Sequence, residues 1–138
     1  MRIRTVVAGV ATALGLAVLG ATTAGEAAAI VPEFDPGAGI YGALDLNGAE
    51  TAALRNSPIP GMLDGLWMDR GLIDADPASQ LSGAHAGEDI DANFSDVVAE
   101  AAARGGTVSI GIVDPVRFYQ GNIYPSQVNR NFLVVQFL

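Results

Sequence analysis

The chain has 138 residues, 15 acidic side chains against 7 basic ones, one histidine and no cysteine. That length suits a single domain with its own core, and the lack of cysteine excludes disulfides, thiol nucleophiles and a thioether lipid anchor. A formal charge of −8 opposes binding to nucleic acid or to anionic membrane surfaces.

Residues 1–29 have the three-part layout of a secretory signal peptide. Arg2 and Arg4 make a basic start, Thr5 to Ala24 carries no charge, and Ala27-Ala28-Ala29 supplies small side chains at a cleavage point. The alternative is a retained membrane anchor, since the apolar run approaches the length that spans a bilayer. Cleavage after Ala29 leaves Ile30–Leu138, with 14 carboxylates, 5 arginines and a charge of −9. Nine of the acids fall in residues 64–100 against Arg70 alone. Such a stretch complements cations or a basic partner; solubility of an exported chain is the plainer reason for it.

Residues 30–44 hold Pro32, Pro36 and several small residues, and read as an extended lead-in to a single α+β domain over 45–138. Asn47 and Glu50 form an N-x-x-E start signal for a short helix over 48–56, which Ser57-Pro58 must end. A second helix is expected to bury Met62, Leu63, Leu66 and Trp67 on one face and to stop at Gly71. Residues 72–92 lack sustained periodicity and read as loop. Asn93 then caps a helix whose Phe94, Val97, Val98, Ala101 and Ala102 share one face, with Gly105-Gly106 closing it. Thr107–Val113 alternates as a half-buried strand ended by Asp114-Pro115. Val116–Gln127 predicts a ribbon turning at Gly121-Asn122, and Phe132–Leu138 predicts a strand covered on both faces. Helices followed by a small, mostly antiparallel sheet make an α+β fold.

The sharpest local motif is the oxygen ladder Asp89, Asp91, Asn93, Ser95 and Glu100, at positions 1, 3, 5, 7 and 12 of a calcium-type loop. Phe94 stands where that loop requires glycine, and Asn93 as a helix cap accounts for the same residues without an ion. His85, with Glu88 and Asp89, offers a mixed ligand set or a solvated loop histidine. No G-x-S-x-G elbow is present around Ser82, and a pair of carboxylates for acid–base work needs a cleft that sequence cannot locate.

Gly87-Glu88-Asp89-Ile90, the helix Phe94–Arg104, the strand Ser109-Ile110-Gly111-Ile112-Val113 and the ending Val134-Val135-Gln136-Phe137 together resemble the second half of secreted CAP domains (the cysteine-rich secretory, antigen 5 and pathogenesis-related superfamily). The resemblance covers residues 87–138. It implies an α-β-α sandwich used for binding. Of the family's His/Glu tetrad only Glu88 has a counterpart, and Arg104-Gly105-Gly106 stands where its later histidine motif belongs, so the resemblance implies a degenerate member without zinc chemistry.

These readings lead to one expectation: a small acidic exported bacterial protein that contacts a protein or envelope component without catalysis or cofactor. A calcium-stabilised domain or a small hydrolase centred on residues 85–100 is the alternative.

Overall fold

A computed structural model describes residues 32–81 and 92–138. The leader (residues 1–29), His85, Glu88, Asp89 and Asp91 therefore lie outside the described residues. The α+β class is as expected. Five strands, β1 (Pro32–Asp35), β2 (Ile40–Leu46), β3 (Gly71–Asp74), β4 (Thr107–Val113) and β5 (Phe132–Phe137), form one sheet in the order β1-β2-β4-β5-β3. All neighbours are antiparallel except β3 and β5.

The lead-in is extended, but it is also paired. Asp35 starts the turn by accepting Ala38 N–H on its side chain at 3.1 Å, and Gly39 takes φ +82° to bring the chain back. A side chain at Gly39 would meet the Phe118 amide at 2.9 Å. In β2, Gly42, Leu44 and Leu46 face inward while Tyr41 and Asp45 stay exposed, the period of two that one covered face imposes.

Three helices cover that inward face: α1 (Gly48–Arg55), α2 (Ile59–Arg70) and α3 (Phe94–Ala103). The Asn47–Glu50 capping box forms at both ends, with Glu50 N–H donating to Asn47 at 2.9 Å and Asn47 N–H to Glu50 at 2.8 Å. Asn93 opens α3 with its N–H donating to Asp96 at 2.9 Å. Gly105 closes it at φ +70°, which lets Gly106 N–H return to the Ala101 carbonyl at 2.8 Å. Leu44, Leu54, Phe94, Val97, Val98, Ala101, Val108 and Val134 are fully buried between the helices and the sheet. Trp67 stacks on Phe94 with centroids 4.3 Å apart and donates its indole N–H to the Leu72 carbonyl at 3.3 Å.

Because β1 and β2 join the sheet, the domain includes the lead-in and the sheet does not simply follow the helices; three further expectations change. In α2, Trp67 is buried and Leu63 half-buried, but Met62 and Leu66 are exposed. Pro60, Leu63 and Trp67 form the inward stripe, and Met62 and Leu66 each sit one residue, about 100° of helical rotation, away from it. Within 72–92, β3 runs on directly from α2 and pairs in parallel with β5, Gly71 opposite Phe132. Finally, Val116–Gln127 turns at Gln120-Gly121 but forms no ribbon. Asp114 accepts from Val116 and Arg117 N–H and, with Pro115 following it, starts a one-turn helix, α4 (Pro115–Phe118). Pro125 then opens a single 3₁₀ turn at Pro125–Gln127.

Candidate functional site

The described members of the oxygen ladder serve three separate structural tasks. Asn93 caps α3. Ser95 donates from its amide and its hydroxyl to the two oxygens of Asp64 on α2, at 2.8 and 2.7 Å, which ties the start of one helix to the side of the other. Glu100 lies farther along α3 and turns to the loop after β3. It accepts Ser79 Oγ–H at 2.6 Å, Gln80 N–H at 2.7 Å and Gln136 Nε2–H at 2.8 Å. The helix begins at Phe94, ladder position 6, so Ser95 and Glu100 are separated by about 7.5 Å of helical rise instead of wrapping one centre. Among the described residues no group of three potential ligands converges on a metal position.

The Glu100 cluster is a buried junction. Gln136, 2% exposed, also donates to the Val97 carbonyl at 3.3 Å and accepts Asp76 N–H. Desolvation pushes the Glu100 carboxyl up, but hydrogen bonds from Ser79, Gln80 and Gln136, together with the charge of Arg104, outweigh it and hold the group below its ordinary value. Asp76 is also held low, by the amides of Ala78 and Leu138 and by Arg104. These contacts fasten α3, the 75–81 loop and the end of β5 to one another.

The other face of the sheet is built differently. Among the described residues, α4 and the residues after it cover part of it: Phe118 and Tyr119 pack on Leu72, Val113 and Leu133, their rings edge-to-face with centroids 4.9 Å apart. The remainder is an open groove of about 770 Å³. Strand register sets its layout. One row crosses the sheet as Asp45, Ser109, Val135 and Asp74, and the next as Glu33, Ala43, Gly111, Leu133 and Leu72. Small and apolar side chains therefore make the floor, with carboxylates at the two ends.

Gly111 keeps the floor low, since a Cβ there would lie 3.1 Å from both Ala43 Cβ and the Gly42 carbonyl. Ser109 Oγ donates to Asp45 in a short hydrogen bond. At the far end, burial raises the Asp74 carboxyl above its ordinary value, and burial followed by the charge of Asp74 pushes the Tyr119 phenol up to about 12. Among the described residues Glu33, Asp45 and Asp74 line this groove and no arginine does; the chain's seven basic residues are all arginine.

None of these groove residues is recognisable as a site from local sequence, because all five strands contribute them. One signal was available. Phe132–Leu138 is nearly all apolar, which predicts a cover on both faces, and the described residues cover the second face only in part. Comparisons with protein-family models, curated proteins and solved structures give no match.

Proposed function

We propose that the chain is a small acidic exported bacterial protein whose folded part is a non-catalytic binding domain, with the open face of the sheet as its contact surface. The observation that carries this reading is the groove itself: an apolar floor on the face opposite helices α1–α3, lined, among the described residues, by three carboxylates and no basic group. A pocket of several hundred cubic ångströms with an apolar lining and a few polar groups is the usual form of a ligand site. The leader supplies the export part of the reading. No helix among the described residues is long and apolar enough to cross a membrane, which is compatible with action in the envelope space or outside the cell. The sequence resemblance to CAP domains belongs to the same proposal; the order of helix α3 followed by the paired strands β4 and β5 supports it, while the described helices α1–α3 lie on one face of the sheet and not in the α-β-α layering that the resemblance implies.

Two experiments test it. N-terminal sequencing of the exported protein should begin at Ile30; a product that begins at Met1 removes the cleavage. Val135→Arg fills the groove floor with a bulky cation, and should abolish retention of envelope or secreted material by the immobilised domain at both low and raised salt. Retention unaffected by this substitution would place the contact surface elsewhere.

A further inference from the structure

The ends of the groove carry more information than its floor. Asp45 and Asp74 stand in one register row on β2 and β3, with Ser109 and Val135 between them. Three strand spacings separate the two acids, about 14 Å. Glu33 on β1 adds a second carboxylate beside the Asp45 end. Phe137, half-exposed two residues beyond Val135, flanks the row on one side, and Leu133 and Phe118 flank it on the other.

We infer that this groove holds a linear aliphatic ligand with an ammonium group at each end, of the diamine and polyamine class. The inference rests on the open face being the binding surface. The argument is one of complementarity. An anionic ligand meets three carboxylates and, among the described residues, no cation within the lining, and is repelled. A neutral apolar ligand covers the floor but gives the exposed carboxylates of Asp45 and Asp74 no counter-charge. A ligand with one ammonium neutralises one end and leaves the other without a counter-charge. A methylene chain between two ammonium groups lies on Ser109 and Val135 and meets a carboxylate at each end. The aromatic faces of Phe137 and Phe118 add attraction for a cation passing over them. The raised carboxyl of Asp74 agrees with this, because it marks an acid that its surroundings leave without a compensating charge.

The test is titration of the isotope-labelled domain at low salt, followed by amide shifts in the Asp45–Ser109–Val135–Asp74 row. Spermine and 1,8-diaminooctane are expected to give saturable shifts there, with octylamine and 1,4-diaminobutane at least tenfold weaker. The first control has one ammonium, and the second is too short to reach both ends. Asp45→Asn and Asp74→Asn should each reduce 1,8-diaminooctane to the octylamine level. Asp69→Asn, the same charge change on the exposed side of α2, should leave binding unaltered.

Equal binding of 1,8-diaminooctane and octylamine overturns the inference, as does equal weakening by Asp69→Asn. A basic peptide that shifts the row while no diamine does overturns it in favour of a protein partner. If envelope material shifts the row in the parent but not in Val135→Arg, and no diamine does, the inference falls and the binding surface stands. If nothing shifts the row, both fall.

Discussion

Glu100 shows how a residue type that signals a ligand in sequence can be committed to the fold. Its two oxygens accept from Ser79, Gln80 and Gln136, and two of those donors come from the segment that follows β3. Glu100→Ala removes one hydrogen bond from each of the nearly inaccessible Gln136 and Ser79, so a loss of about 2 kcal/mol in urea unfolding is expected. The pH dependence has a definite sign. The folded-state carboxyl lies below the ordinary value of 4.5, so its contribution is present above that value and is lost as pH falls through the lower, folded one. Glu100→Gln should therefore flatten the acid limb of a melting-temperature profile; a limb as steep as the parent's would show that other carboxylates control it.

At the scale of elements, most local signals act where they stand. The caps at Asn47 and Asn93, the stop at Gly105 and the alternation of β4 each depend on residues within a few positions of one another, and each is legible. So is the stop of α2 at Gly71, but the strand that begins there is not. Gly71 starts a strand immediately after a helix, and a Cβ there would lie 2.1 Å from Trp67 Cδ1. Gly71→Ala must push the indole off Phe94 and out of the Leu72 hydrogen bond. About 1–3 kcal/mol should be lost, with a red shift in the emission of the chain's one tryptophan; unchanged emission would mean that the backbone yields instead. The early start of α3 carries another prediction. Since Ser95 and Glu100 are engaged by Asp64 and by the 79–80 loop, millimolar calcium should leave the melting temperature unaltered. A rise of several degrees would restore an ion to residues 89–100.

Over the whole molecule, charge and layering act together. The helices bury one sheet face, and the other keeps a groove lined by acids in a chain of charge −8. Repulsion among like charges weakens a compact state and is screened over about 10 Å at 0.1 M salt. Raising sodium chloride from 10 mM to 0.3 M should accordingly raise the melting temperature, and a flat response would show that the acids are too dispersed to matter. The same layering protects the sheet edges. Each edge strand has four residues; β1 carries Pro32 and an irregular register, and β3 ends in Asp74, features that discourage pairing with another chain.

The sequence by itself determined the α+β class, the helix limits at Asn47, Asn93 and Gly105, and the core stripe of α3. Each follows from capping chemistry or periodicity within about two helical turns. It also placed strands at 107–113 and 132–138 through alternation and through a nearly all-apolar run; the second ends one residue earlier, at Phe137. Only the tertiary structure decided that the lead-in joins the sheet, that residues 71–74 form a strand, and that Met62 and Leu66 stay outside the core. Those outcomes depend on which distant segments meet: Gly71 pairs with Phe132 and Leu44 with Ile110, each across some sixty residues. The carboxylates at the ends of the groove have the same origin. Asp45 and Asp74 share one row because β4 and β5 come between their strands, and no local pattern records that.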